Sequence, residues 1–398
     1  MNSPVDSPSQ DTTASSLRDL AALFLRLGVT AFGGPAAHIA MMEAEVVRRR
    51  RWLTREQFLD LIGASSLIPG PSSTETAIFI GYLRAGWMGL VLGGLCFILP
   101  AALMVMLLAW AYVRFGHLPQ VAGILYGVKP VIIAVIAQAL WLLGRAALKT
   151  RFLAAVGLSA LVLSALNLAP LAVLFGAGMV TAGERGIALR GAARQSAKPL
   201  VALLAVIAFL VTLPLALRAY TAGTPAVGLP SLFLIFLKIG SIVYGSGYVL
   251  LAFLRADLVA RTHWLSSAQL LDAVAVGQVT PGPVFTTATF IGYMLYGPRG
   301  ALAATVGIFL PAFLLVAVSG PLLPRLRQSE IVGAFLDGVN AAALALMAVV
   351  TWQLGRAAIV DALTGALALA SLLILLRFRL NSAWLVLAGA LAGLLKLS

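Results

Sequence analysis

The chain has 398 residues, of which 61% are hydrophobic and 11% charged, and its mean hydropathy is +1.00. A soluble fold of this length cannot bury so much apolar surface, so the composition predicts a polytopic membrane protein solvated by lipid. The formal net charge of +14 has two interpretations: basic loops that set the orientation in the membrane, or a positive field that attracts an anionic substrate.

Residues 1–16 are rich in Ser, Thr, Asp and Pro, which predicts a short disordered tail without the features of a signal peptide. Hydrophobic stretches follow to the end of the chain. Two of them, 152–182 and 357–397, are long enough to be pairs of short helices, divided near Pro170 and near Arg377. The pattern predicts an all-α fold with roughly 10 to 13 membrane segments, depending on how interrupted stretches are counted.

The first interruption is Phe32-Gly33-Gly34-Pro35, inside the first hydrophobic stretch. It is interpreted either as a loop that faces a substrate site or as small residues that let helices pack closely. Arg26 lies one to two turns upstream. A cation at membrane depth suits a divalent anion, and the alternative is a side chain that extends to the membrane interface.

A second interruption follows a helix start at the capping box Thr54-x-x-Gln57. Pro69-Gly70-Pro71 lies about 22 Å further along a helix, short of the roughly 30 Å hydrocarbon core. Irregular backbone at that depth survives only where it is buried or lines a cavity. A helix that restarts after Pro71 would offer an anion its positive dipole end and the free N–H groups of Ser72, Ser73 and Thr74.

Glu75 follows in the first turn of the restarted helix. An ionisable side chain inside a membrane span is a functional hypothesis by default, and here the hypothesis is coupling or gating. The alternative is a glutamate that pairs with an arginine or faces a watery vestibule.

The whole pattern occurs twice. Pro69 and Pro281 lie 212 residues apart, and after the motif the offset falls to 211. We predict four parts: a tail (1–16), a first repeat (17–183), a basic loop with a linker helix (184–228) and a second repeat (229–398). The second copy of the candidate site comprises Lys238, Tyr244, Gly245, Ser246, Pro281, Gly282, Pro283, Thr286 and Thr287. Asp272 and its equivalent Asp60 are expected to interact with their own helix N-termini.

The hydrophobic linker segment at 199–217 decides the predicted orientation of the second repeat relative to the first. If each half crosses the membrane an even number of times, one additional crossing inverts the second half. Basic residues are dense in the loops of the first half and sparse in the equivalent loops of the second, which agrees with an inverted repeat. The charges fit best if re-entrant hairpins begin each half, so that Arg48, Arg55 and Arg84 stay cytoplasmic.

These motifs, with the basic turn before Trp52 and Phe79-Ile80-Gly81-Tyr82 after the Pro-Gly-Pro, resemble the chromate ion transporter family in its long two-domain form. The resemblance covers the whole chain. It implies an exporter of chromate in the bacterial inner membrane that confers chromate resistance and is driven by protons. The second half departs from the first in having Ser246-Gly247 where the first has Gly34-Pro35 and no acidic equivalent of Glu75.

The sequence is compatible with three classes of function. The leading one is a secondary transporter of a tetrahedral divalent oxyanion, chromate first and sulfate or another anion as the alternative. A channel or an exporter of another solute is the second, and an intramembrane enzyme the third. No nucleophile elbow, phosphate loop or HExxH motif occurs, so neither enzyme activity nor a cofactor or metal is expected. The expected partners are the oxyanion, protons and lipid, without nucleic acid, and a homodimer stays open.

Overall fold

The computed structural model describes residues 10–32, 34–166, 168–189, 228–244, 247, 249–319, 330–378 and 382–396. Within these residues the fold is helical and contains no strands. The predicted linker helix at 199–217 lies outside the described residues, as do the predicted site residues Gly33, Gly245 and Ser246.

Fourteen α-helices are described, seven in each half. Those of the first half are α1 (Gln10–Thr30), α2 (Gly34–Glu43), α3 (Arg55–Ser65), α4 (Ser72–Phe115), α5 (Pro119–Ala147), α6 (Arg151–Ala165) and α7 (Pro170–Leu189). Those of the second half are α8 (Leu229–Gly240), α9 (Leu250–Leu254), α10 (Ser267–Val279), α11 (Thr287–Ser319), α12 (Glu330–Ala358), α13 (Ala362–Arg377) and α14 (Ser382–Leu395). A π-helical turn follows α2 (Ala44–Arg49) and another follows α9 (Arg255–Arg261), so the two halves correspond element by element.

Helix boundaries follow the local sequence signals. The stretch 152–182 divides at Pro170, where α7 begins, and 357–397 divides after Arg377, where α13 ends, as predicted. The tail is different: α1 begins at Gln10, inside the segment predicted to be disordered, so helix starts earlier than the composition suggests. Among the described residues, four segments are long and apolar enough to cross a membrane: α4, α5, α12, and Val284–Ser319, which includes α11.

Helix α4 folds back on itself. Ala85 and Gly86 leave helical geometry, and Gly86 has a φ of 58°, a region that glycine occupies without steric cost. A side chain on Gly81 would collide with the backbone carbonyl of Gly89, so the two parts of α4 lie in direct contact. The second half repeats the fold at Gly297, whose φ is 62° within α11.

The start of α4 also pairs with α3. The hydroxyls of Ser65 and Thr76 are 3.0 Å apart, on either side of the Pro-Gly-Pro motif. At the other end of this hairpin, the guanidinium groups of Arg50 and Arg84 lie 5.0 and 5.1 Å from the centre of the Trp52 ring. The segment from the start of α3 to Gly86 therefore begins and ends at the same end of the molecule. This geometry agrees with the predicted re-entrant hairpin.

A buried ion pair joins the halves beside the second hairpin. Asp272 of α10 lies 2.9 Å from the ammonium of Lys129 on α5 and accepts a hydrogen bond of 2.9 Å from the hydroxyl of Tyr112. Its partners are thus side chains of the first half, and the expectation that Asp272 serves its own helix N-terminus was wrong. The reason is that Asp272 is 4% exposed and faces a packed lysine rather than the solvated first turn.

We predict that the halves have opposite orientations in the membrane, because a duplicated unit joined by one additional crossing is inverted. Topology reporters fused after Arg84 and after Arg299, at equivalent ends of the two fold-backs, should report opposite sides of the membrane. Signals from the same side would show that the repeat is parallel.

Candidate functional site at the crossing of the interrupted helices

Both Pro-Gly-Pro motifs interrupt the chain between helices, as predicted. Capping boxes at Thr54 and Ser266 start α3 and α10. Helix α4 begins directly after Pro71, and a short 3₁₀ turn, Val284–Thr286, leads into α11 after Pro283. Proline cannot donate a backbone hydrogen bond, so two prolines flanking a glycine end one helix and allow another to start.

The interrupted loops meet across the two halves. The Gly70 N–H donates to the carbonyl of Val243 at 2.7 Å, and the Gly282 N–H donates to the carbonyl of Ala31 at 2.9 Å. Each bond joins the Pro-Gly-Pro motif of one half to the first interruption of the other half, beside Phe32 or Tyr244. This pair of equivalent bonds agrees with the interpretation in which the interruptions face each other in a pseudo-twofold arrangement.

Some of the N–H groups expected to hold an anion are already bonded. The Thr74 N–H donates to the carbonyl of Pro71 at 2.7 Å, and the Thr286 N–H donates to that of Pro283 at 3.0 Å. The Thr287 hydroxyl donates a hydrogen bond to the carbonyl of Val284, three residues earlier. The prediction of a free N–H at Thr74 was therefore wrong, because the first turn after the proline closes with i→i+3 bonds.

Glu75 is fully buried against the first motif. Neither of its carboxylate oxygens, nor the hydroxyl of Thr74, has a hydrogen-bond partner among the residues that the structure describes. Gly70 has a φ of 143°, and a β-carbon there would collide with a carboxylate oxygen of Glu75. Glycine thus fits the backbone conformation here, and a side chain at this position would also displace the carboxyl group of Glu75.

Tyr244 from the other half lies within electrostatic reach of Glu75. It is 6% exposed and also lines a cavity of about 200 Å³, together with Lys149, Asp337 and Asn340. The structure therefore brings Gly70, Pro71, Glu75 and Tyr244 together, although they come from both repeats.

His38 belongs to the same centre, although none of the predicted site residues included it. It is 1% exposed, with one ring nitrogen 3.3 Å from the Ser73 hydroxyl and the other 3.1 Å from the Ala31 carbonyl. The available signal was a histidine in an apolar stretch three residues after Pro35, since buried polar side chains in membrane segments are expensive. The equivalent residue in the second half is Leu250.

The structure places Arg26 and Lys238 in ion pairs of their own halves. Arg26 lies 2.5 Å from Glu45, and Lys238 lies 2.5 Å from Asp257, which is the equivalent carboxylate. The Arg26 side chain is 44% exposed and paired with Glu45, and its role as a substrate cation at membrane depth stays a prediction. Lys238 is 8% exposed and lines a larger cavity, described below.

Glu45 anchors the first ion cluster, outside the four candidate spans. Arg49 and Arg50 also contact it, at 3.2 and 3.4 Å. Burial acts to raise the pKa of the Glu45 carboxyl, but hydrogen bonds from the three arginines and the charge of Arg26 outweigh it and hold the pKa below its ordinary value. This cluster stays charged at neutral pH and fixes the π-helical turn to α1.

We predict that Gly70→Ala lowers the thermal unfolding midpoint of the purified protein in detergent, because the β-carbon strains the backbone and displaces Glu75. A cost of about 1–3 kcal/mol is expected for such a strained position. Gly176→Ala is the matched control: it adds the same methyl group in α7, where no atom lies within 4 Å. An unchanged midpoint for Gly70→Ala would show that the turn is not constrained in this way.

Comparison with known proteins agrees with this architecture. The family model for chromate transporters matches residues 18–182 and 230–394, one match for each half. A chromate transport protein of Cupriavidus metallidurans is 34% identical, covering 98% of this chain and 97% of its own. A chromate transport protein of Pseudomonas aeruginosa is 34% identical over 86% of this chain and 82% of its own, and a probable one of Synechococcus elongatus is 32% identical over 87% of each.

No solved structure matches the chain. The family matches span both halves, and each contains one of the Pro-Gly-Pro motifs that bond to the opposite half. The chain therefore belongs to the chromate transporter family.

Proposed function

We propose that this protein is a secondary transporter that exports chromate across the bacterial inner membrane, coupled to the proton gradient, and so confers chromate resistance. The reciprocal bonds between the two Pro-Gly-Pro motifs and the opposite halves carry this proposal. A pair of interrupted helices at the interface of two repeats is the arrangement in which transporters hold ions at membrane depth. The relatives named as chromate transport proteins support chromate as the substrate.

In this proposal, alternating access depends on the backbone hydrogen bonds that join the two halves at Gly70 and Gly282. Gly70 and Gly282 are held by backbone hydrogen bonds to the other half, and each such bond contributes about 0.5–1.5 kcal/mol net. Relative movement of the halves exchanges these bonds for bonds to an anion. The donors are then Gly70 and Gly282, beside the helix N-terminus at Ser72 and Ser73, where the dipole favours negative charge.

Glu75 supplies the proton coupling in this proposal. A carboxylate that is fully buried and without a partner among the described residues is costly when charged. A dianion at the adjacent helix terminus adds repulsion to that cost, so anion occupancy and proton occupancy are linked at the site. Tyr244 lies near Glu75 and also lines the cavity of about 200 Å³. In this proposal that cavity is the route by which the carboxyl group exchanges protons with water.

The experiment is uptake of radiolabelled chromate into everted membrane vesicles, in which export is measured as accumulation. We expect uptake to depend on an imposed pH gradient and to collapse with a protonophore. Sulfate, a tetrahedral dianion of similar shape, is added as the competitor. Vesicles that accumulate sulfate but exclude chromate would transfer the proposal to sulfate, and no accumulation of either would refute oxyanion export.

For Glu75→Gln we expect chromate to bind with the affinity of the parent, while uptake no longer follows the pH gradient, because the amide preserves the shape but cannot exchange a proton. The matched control is Glu56→Gln in the exposed first turn of α3. Binding is measured as equilibrium retention of labelled chromate, and flux as initial uptake with and without the gradient. A variant whose flux follows the gradient as the parent does would exclude Glu75 from coupling.

A further inference from the structure

A cavity of about 700 Å³ lies between the two halves, apart from the Pro-Gly-Pro motifs. It is bounded by the connection between α6 and α7, by α8, by the second π-helical turn and by α12. Apolar side chains form most of its wall. The polar side chains include Lys238, Arg255, Asp257, Arg261 and Gln353. A volume of this size holds a small oxyanion together with several waters.

The charge in this cavity is unbalanced. One carboxylate, Asp257, is shared by Lys238 at 2.5 Å and Arg261 at 3.0 Å. Arg255 adds a third cation, so among the described residues of the wall three positive groups face one negative group. Low-dielectric walls concentrate the resulting positive potential, which raises the local concentration of anions.

Two polar atoms of the wall lack protein partners. The Nε–H of Arg255 and the side-chain carbonyl oxygen of Gln353 are buried without a hydrogen bond among the described residues. Buried donors and acceptors are ordinarily satisfied, so an unpartnered donor and an unpartnered acceptor beside one cavity favour a polar ligand there. A guanidinium donates to oxyanions in a planar fork, which suits a tetrahedral dianion better than a single lysine does.

The first half lacks both features. Glu43 stands at the position of Arg255 and pairs with Arg48 at 3.2 Å, and Leu142 stands at the position of Gln353. The repeat therefore folds without a cation and an amide at these two positions. Their presence in one copy alone points to a ligand rather than to the architecture.

We propose that this cavity is the vestibule in which the transported oxyanion binds before or after the central crossing, held by Arg255 with Lys238 and Arg261. The inference deepens the proposed function and rests on it: the second half supplies the cations of the vestibule, and the first half supplies the proton site at Glu75. The ligand is a small inorganic dianion with tetrahedral oxygens.

The first test is transport in everted vesicles. Arg255→Gln and Arg255→Glu, the latter introducing the residue type of the first half, should raise the KM for chromate by about tenfold or more, since a charge-assisted hydrogen bond is lost. Arg299→Gln removes an equal charge from an exposed position of the same half and should leave the KM unchanged. Equal KM values for the Arg255 variants and the parent would overturn the proposal.

A second test does not depend on transport. In a Cys96→Ala background, Ala260→Cys places the one thiol on the cavity wall. A negatively charged methanethiosulfonate should modify it at least about tenfold faster than a positively charged one, because the cavity attracts anions. Sulfate, which does not oxidise thiols, should slow the modification, and Arg255→Gln should abolish both effects.

The two tests separate the failure of this inference from the failure of the proposed function. Sulfate protection that requires Arg255, in a protein that moves no chromate, would support the vestibule and refute chromate export. Chromate export with no charge preference at Ala260→Cys would overturn the vestibule alone. Protection by phosphatidylglycerol vesicles and not by sulfate would assign the cavity to a lipid headgroup, which also overturns it.

Discussion

The structure depends on two backbone hydrogen bonds that cross between its halves, from Gly70 to Val243 and from Gly282 to Ala31. Unpaired N–H groups are expensive inside a bilayer, where no bulk water can satisfy them. Each half interrupts a helix and so creates such groups, and each satisfies them with a carbonyl that the other half has freed. The interruptions are therefore stable only as a pair, which explains why both copies keep their Pro-Gly-Pro motif.

Around this symmetric backbone the side chains are asymmetric. The first half places His38, Ser73 and Glu75 at its motif, where the second half has Leu250, Phe285 and Thr287. In turn, the second half has Arg255 and Gln353 where the first has Glu43 and Leu142. Duplication supplied one scaffold twice, and the side chains of the two copies then diverged without disturbing the hydrogen bonds that hold the copies together. In the proposed mechanism, the group that exchanges protons and the cations of the vestibule consequently lie in different halves.

The two ion clusters show that equivalent residues of the two halves can lie in different surroundings. Arg26, Glu45 and Arg49 are equivalent to Lys238, Asp257 and Arg261, and in both halves the carboxylate is shared by the two cations. The first cluster is exposed and fixes a π-helical turn to α1. Its counterpart is largely buried and lines a cavity, because the connection between α6 and α7 borders it on one side. Packing, rather than the identity of the charged residues, makes one cluster an exposed anchor of a helical turn and the other part of a cavity wall.

Local signals in the sequence determined the helices, their starts at the Thr54 and Ser266 capping boxes, and the interruptions at Pro69-Gly70-Pro71 and Pro281-Gly282-Pro283. They also determined the duplication. The reason is that proline chemistry, capping and hydrophobicity act over a few residues. Only the tertiary structure decided the partners: Glu45 for Arg26, Lys129 for Asp272, and Val243 for Gly70. The partners of His38 and the cavity at Arg255 could not be identified from the sequence for the same reason. A partner far along the chain is chosen by how helices pack, and no local pattern records that choice.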